Sequence, residues 1–293
     1  MAEMASDVGG AVIVVNIGLG KKGFVNRTGA NMDEENLVYF ADRLGFKVIN
    51  KDQQYTCLRR DLELHHWKHA SKNPCCENQE KCLQCLIEKK VSESSKYFLF
   101  ALSSHGKIEN NEFFVEFIDE SKARNKRFLP LKEVVEFLKN CECLRKKVVI
   151  LVIEACRSNQ DTTDDTGVQS GKGPTVLPAD DDQPPYIPIC IPKNFLLVYS
   201  TTPNRYAYRD ETNGSWFESK LKQALSDENE GEIVDLLQLL TKTAGLVSEM
   251  EADLSDKTKP TASNTETFGV TPGAKCVPCI EHRLTKPPIF KLH

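Results

Sequence analysis

The run Val148-Val149-Ile150-Leu151-Val152-Ile153 places six β-branched or leucine side chains in succession, with no alternating polar face. A strand with one side in water alternates polar and apolar residues. An unbroken apolar run therefore belongs to a strand covered on both faces, as central parallel strands of α/β sheets are. This run ends at Glu154-Ala155-Cys156-Arg157, and a second one, Tyr97 to Leu102, ends at Ser103-Ser104-His105-Gly106. Ligands and chemistry gather beyond the carboxyl ends of parallel strands. Two buried strands thus deliver one histidine and one cysteine to the same rim.

The remaining segments fit a doubly wound α/β sheet. Ala11 to Val15 is a first buried strand, followed by a loop with Gly18, Gly20 and Gly23 that carries Arg27 but lacks the full dinucleotide fingerprint. Asn31 with Glu34 three residues on has the form of a helix start, Leu37, Phe40, Ala41 and Leu44 make one apolar face, and Gly45 ends it. Phe46 to Ile49 is the next strand, and Tyr55, Leu58, Leu62 and His65/His66 mark a second helix. After His105 the pattern predicts a hairpin around Phe113 to Ile118, then a helix after Pro130 with Leu131, Val134, Val135 and Leu138 inward. Phe195 to Tyr199 is a further buried strand. Helices follow Gly214 (Trp216, Phe217, Leu221, Leu225) and Gly231 (Ile233, Leu236, Leu237, Leu240), with a last strand at Cys279-Ile280.

Composition narrows the function. The chain has 293 residues, a net charge of −4 and no clustered Lys/Arg patch, which argues against a nucleic-acid partner. No apolar stretch is long enough for a signal or a membrane span, so a soluble, cytoplasmic chain is expected. Eleven cysteines without a secretory signal indicate free thiols. His65, His66, His69, Cys75, Cys76, Cys82 and Cys85 cluster in one stretch, but adjacent Cys75-Cys76 fits a zinc knuckle poorly, and the stretch reads as a surface insertion with no metal. Between Ser158 and Lys193 there are six Pro, three Gly and six Asp against two Lys, a composition unable to bury enough surface to offset its ordering entropy.

A cysteine at a strand end is more often a small buried hydrophobe than a nucleophile. Paired with a histidine at the same rim it acquires a chemistry. The thiolate attacks, the imidazole activates it and later protonates a leaving amine, and backbone N–H groups at Gly106 and Cys156 are positioned to hold the oxyanion. No third, orienting residue can be assigned from the sequence.

These residues carry a resemblance. Glu154-Ala155-Cys156-Arg157-Ser158, with His105 lying 51 residues upstream, is similar to the caspase signature Gln-Ala-Cys-(Arg/Gln/Gly)-Gly with its histidine about 50 residues before. Ser104-His105-Gly106, Arg27 to Asp33, Tyr199-Ser200-Thr201, Tyr206-Ala207-Tyr208-Arg209, Gly214-Ser215-Trp216-Phe217 and Val277-Pro278-Cys279-Ile280 resemble further family segments, in order, over about residues 11 to 291. The resemblance implies a caspase-like three-layer sandwich, with a mostly parallel sheet of about six strands and helices on both faces.

It also implies a cysteine endopeptidase that cuts after Asp, without a cofactor. His105 and Cys156 would be the dyad, with Gly106 offering an oxyanion N–H. Arg27 and Arg209 would grip the Asp side chain above Glu154, and Tyr206, Tyr208 and Trp216 would line neighbouring subsites. The implied organisation is a short N-terminal peptide (1–10), a large subunit (11–157), a linker (158–193) cut at Asp161, Asp164 or Asp165, and a small subunit (194–293). Large/small pairs would dimerise through the last strand after an upstream protease acts. The short leading peptide resembles that of an executioner acting in apoptosis on protein substrates with Asp at P1; neither nucleic acid nor membrane is an expected partner.

Two positions depart from the signature, Glu154 for its Gln and Ser158 for its Gly. An ionised Glu154 would leave two arginines facing one carboxylate, and would ion-pair with one of them in the empty pocket. The alternatives belong to other classes. A pseudo-caspase regulating an active relative by dimerisation is opposed by the presence of His105, Cys156, Arg27 and Arg209. A Lys/Arg-directed relative of the metacaspase kind is opposed by the two arginines. A zinc module would rest on residues 65–85 alone.

Overall fold

The computed structural model describes residues 8–16, 27, 29–50, 83–116, 128–157, 186–251 and 275–293. Along the chain run β1 (Gly9–Val15), α1 (Ala30–Arg43), β2 (Phe46–Val48), α2 (Leu83–Lys90), β3 (Tyr97–Ser103), β4 (Gly106–Glu109), β5 (Glu112–Glu116), β6 (Phe128–Pro130) and α3 (Leu131–Asn140). Then come β7 (Val148–Glu154), β8 (Phe195–Tyr199), β9 (Arg209–Asp210), β10 (Gly214–Ser215), α4 (Trp216–Ser226), β11 (Ile233–Asp235), α5 (Leu236–Ser248), β12 (Cys279–His282) and β13 (Ile289–Lys291).

Six strands make the central sheet in the order β12-β8-β7-β3-β1-β2, with every neighbouring pair parallel except the antiparallel edge strand β12. Alternate residues of the apolar runs supply two separate cores. Ile13, Leu99, Ala101, Ile150, Val152, Leu196 and Val198 face α1, α4 and α5. Phe98, Phe100, Val149, Leu151, Ile153, Leu197 and Tyr199 face α2, α3 and the small β4-β5-β6 sheet. The doubly apolar strands are thus explained by helices on one side and helices plus a hairpin sheet on the other. Each Val, Leu, Ile or Phe among them, fully buried, contributes roughly 1.5–3 kcal/mol.

Local chemistry accounts for the joints. Asn110 and Asn111 both take positive φ (51° and 65°), the two-residue turn whose twist matches the hairpin closed by Glu109 and Glu112. Gly45, at φ 80°, directly follows Leu44, the C-cap of α1, and stops the helix as expected from the sequence.

Three expectations are corrected. The cap of α1 is Gly29 at φ 83°, with no side-chain cap bond, so Asn31 lies inside the helix. Ile233 is not helical. It sits in β11, paired with β13 and 75% exposed, while Asp235 caps α5 by accepting from the Leu237 and Gln238 N–H groups. The chain therefore ends on β13 and not on Cys279-Ile280. The expected helix at 55–66, the glycine loop at 18–23, the His/Cys cluster from His65 to Cys82, and Asp161, Asp164 and Asp165 lie outside the described residues. Among the described residues no helix is long and apolar enough to cross a membrane.

Candidate active site

Strands β3 and β7 are in register with Ser103 opposite Glu154, and the Ser104 N–H donates to the Glu154 carbonyl at 2.9 Å. His105 and Cys156 each follow two residues beyond that last rung, so the sheet brings the two reactive side chains to one rim. Gly106 makes the approach possible. A Cβ there would stand 2.4 Å from the Cys156 carbonyl oxygen and 2.9 Å from Ala155 Cβ, so any side chain would force the His105 loop away from Cys156.

His105 is buried, with Nε2 4.0 Å from Glu116 Oε2. Glu116 ends β5, its N–H donates to the His105 carbonyl at 2.8 Å, and its own carbonyl accepts from Ser104 Oγ. Asn16 Nδ2 donates to Ser104 Oγ at 3.2 Å and to Glu116 Oε2 at 3.5 Å. The Glu116 carboxyl thus stands beside Nε2 of the imidazole ring. Sequence reading missed Glu116, which the β4–β5 hairpin sets opposite His105 by pairing Gly106 with Val115.

Cys156 is half-buried, and its Sγ faces the Ala207 carbonyl at 3.7 Å. The next residue holds the backbone of Cys156 in place. Arg157 pairs with Arg205 across an antiparallel bridge, and its fully buried guanidinium lies over the rings of Tyr199 (4.0 Å), Tyr186 (4.9 Å) and Phe113 (5.4 Å).

The two arginines converge, though on a residue the sequence reading had not assigned. Asp33, in the first turn of α1 and fully buried, has Oδ2 3.3 Å from Arg209 Nε and 3.9 Å from an Arg27 guanidinium nitrogen. It also accepts from Ser103 Oγ at 2.8 Å and from the Ser215 N–H at 2.6 Å. Arg27 is fixed further by the carbonyls of Asn16 (2.7 Å) and Ser103 (3.0 Å). Two glycines clear the space. A Cβ at Gly214 (φ 79°) would meet Asp33 Oδ1 at 2.6 Å, and one at Gly29 would meet the Asp210 carbonyl at 2.5 Å.

Glu154 lies beside this cluster, buried at the end of β7. Burial pushes its carboxyl up to about 8, and Asp33 adds to the shift, while Arg209, the Ser200 hydroxyl and Arg27 oppose it. At neutral pH the side chain is therefore a neutral acid with one donor and one acceptor, the hydrogen-bonding character of the glutamine it replaces. The expectation of one ionised carboxylate paired with an arginine is corrected: it is Asp33 that takes the arginine contacts, and Glu154 holds a proton. A second consequence is measurable. A glutamate released by unfolding loses its proton near 4.5, whereas the folded one keeps it to about 8. The stability linked to that proton is fully present below about pH 4.5 and is lost as pH rises through about 8. The melting temperature of Glu154→Gln relative to wild type is expected to rise between pH 6 and pH 9, by several degrees; a difference constant with pH would contradict the assignment.

Tyr208 and Trp216 stack with ring centroids 4.8 Å apart, and both are buried, while Tyr206 is half-buried. Burial pushes the Tyr208 hydroxyl up to about 12. The described residues hold no group of three or more His, Cys, Asp or Glu arranged for a metal ion. Cys276 is buried and Cys279 half-buried.

A six-stranded, mostly parallel sheet flanked by two helical layers, with His and Cys beyond the ends of adjacent strands, defines the class of caspase-like cysteine proteases. Residues 10–288 match the Caspase domain family model, and the chain belongs to the caspase family. It is 26% identical over 282 residues to Caspase-7 of Gallus gallus, covering 95% of this chain and 76% of that protein. It is 27% identical over 263 residues to Caspase drICE of Drosophila melanogaster, covering 89% of this chain and 63% of that one. The crystal structure of Caspase-1 from Spodoptera frugiperda shares the fold with a TM-score of 0.59 at 22% identity, over 96% of this chain and 89% of that chain.

Proposed function

We propose that this chain is an aspartate-directed cysteine endopeptidase of the executioner kind, acting in the cytoplasm in apoptosis. The observation that carries the reading is the shared rim: His105 and Cys156 stand beyond one rung of β3 and β7, beside two buried arginines. His105 takes the Cys156 thiol proton, and the thiolate attacks the scissile carbonyl carbon. The N–H groups of Gly106 and Cys156 stabilise the oxyanion. Collapse of the tetrahedral species breaks the C–N bond as His105 hands its proton to the leaving amine, and water then hydrolyses the thioester. Glu116, through Nε2, is the positioning residue for His105. Arg27 and Arg209 supply the positive charge that selects a P1 carboxylate, and Tyr206, Tyr208 and Trp216 shape the adjoining subsites.

Activation follows from the same specificity. An upstream protease, then the enzyme itself, cuts the linker at Asp161, Asp164 or Asp165, with Asp165 preferred because Thr166-Gly167 follow it. The products are a large subunit (11–157) and a small subunit (194–293). Two such pairs associate through β12, whose antiparallel pairing with β8 puts it at the edge of the sheet. A positional library of tetrapeptide substrates, with mass spectrometry of the linker fragments, tests the reading. Turnover confined to P1 Asp and fragments ending at these aspartates are expected; cuts after Lys or Arg would overturn it.

A further inference from the structure

The helix α4 begins with Ser215-Trp216-Phe217-Glu218, the form of a capping box. Half of the box is made: the Glu218 N–H donates to Ser215 Oγ at 3.2 Å. The other half would have the Glu218 carboxylate accept from the Ser215 N–H, but Asp33 Oδ1 already occupies that donor at 2.6 Å. Glu218 is displaced from its usual capping role. It is 1% exposed, and neither carboxyl oxygen accepts a hydrogen bond from a described residue. Its neighbours are Asp33 and Glu154, with Arg209 the opposing charge.

Three carboxyl groups, Asp33 from α1, Glu154 from β7 and Glu218 from α4, are thus buried around the two guanidiniums of Arg27 and Arg209. The other polar groups facing them are Ser103 from β3, Ser200 just after β8, and the thiol of Cys276, which burial holds neutral up to about 12. Charge in a dry pocket is not optional bookkeeping. A buried carboxylate without its own counter-charge keeps a proton instead. Glu218, the least satisfied of the three, has its carboxyl raised well above the ordinary carboxylate value by burial, then by Asp33 and Glu154. As a neutral acid it can donate to the Asp33 carboxylate.

We propose that Glu218, together with Glu154, is a specificity-determining residue of the P1 pocket: the pair admits an acidic side chain while both hold protons and repels it once they lose them. With both protonated, Arg27 and Arg209 against Asp33 leave the pocket one net positive charge. Loss of one proton makes it neutral, and loss of both makes it negative. The proposal rests on the endopeptidase reading above and deepens it, from a pocket defined by arginines to one whose affinity for a carboxylate is set by bound protons.

The test uses two peptides identical except for P1 Asp or P1 Asn, turned over by the full chain between pH 5.5 and pH 9.5. The ratio of the two kcat/KM values cancels the titration of His105 and Cys156, because one dyad serves both substrates. In wild type the Asp/Asn ratio is expected to fall about tenfold or more from pH 6.5 to pH 9.5, since each unit charge at this range outweighs a factor of ten. Glu218→Gln is expected to remove the alkaline end of that fall, Glu154→Gln its beginning, and the double variant nearly all of it. Binding of the same two peptides to Cys156→Ala chains, followed by fluorescence anisotropy at pH 6.5, 8 and 9.5, gives the ratio without catalysis; thermal melts check that each variant is folded. A wild-type ratio that does not change with pH, or a fall that survives in the double variant, overturns the proposal. A Glu218→Gln profile superimposable on wild type removes Glu218 from it. Absence of turnover with a pH-dependent binding ratio overturns the endopeptidase reading alone, and absence of binding by either peptide overturns both.

Discussion

Cys156→Ala is expected to lower kcat/KM on any cleaved peptide by about 10⁴-fold or more, the scale on which removal of a catalytic nucleophile acts. The same chain is expected to keep its fold. Cys156 is half-buried, and the contact its Sγ makes with the Ala207 carbonyl, at 3.7 Å, is weak. The surrounding backbone is held by other groups: the Arg157–Arg205 bridge, the Gly106 approach and the Ser104–Glu154 hydrogen bond. A change in stability within about 1 kcal/mol follows. The inactive chain also separates self-processing from processing by others. Alone it is expected to stay intact, and with catalytic amounts of wild type its linker is expected to be cut in trans. A variant with unchanged turnover removes the nucleophile assignment.

The second large effect belongs to Arg209. Arg209→Ala is expected to reduce kcat/KM for P1 Asp by about 10³-fold, through a buried charge-assisted contact that no other side chain replaces. The loss for a P1 Asn peptide is expected to be much smaller, which distinguishes a selectivity role from general damage. Stability will fall as well. Asp33 loses the guanidinium 3.3 Å from its Oδ2 and is left a buried carboxylate short of one counter-charge. Breaking a buried pair by removing one partner costs about 3–5 kcal/mol. Arg209→Lys restores charge but not the planar fork, so it is expected to recover stability more than selectivity. Equal losses on Asp and Asn peptides would show that Arg209 is structural only.

The large elements were legible because burial writes itself into composition. Val148 to Ile153 cannot sit at a surface, and the structure divides the run between two cores. Helix faces such as Leu131, Val134, Val135 and Leu138 follow from a period of 3.6, which needs no knowledge of neighbours. Where two local signals competed, sequence reading chose wrongly. Ile233 has the spacing of a helical face with Leu236 and Leu240, yet Ile289–Lys291 arrives from far along the chain to pair with it, and Asp235 makes a better start for the helix. Asn31 resembles a cap, but Gly29 takes the left-handed conformation there while Asp33 turns inward to the arginines.

By itself the sequence determined that two doubly buried strands lead into His105 and Cys156, while a carboxylate-binding role for Arg27 and Arg209 was an expectation drawn from the family resemblance. Strand burial and side-chain chemistry are properties of short segments, so they can be read without a fold. Only the tertiary structure decided that Asp33, Glu154 and Glu218 share one dry space with those arginines, and that Glu116 stands behind His105. Glu218 reads locally as an ordinary capping residue, and it became something else when Asp33, 185 positions earlier, took the Ser215 N–H. Protonation state depends on dielectric and on every charge within a few ångströms, and those neighbours come from separated segments that only the folded sheet brings together.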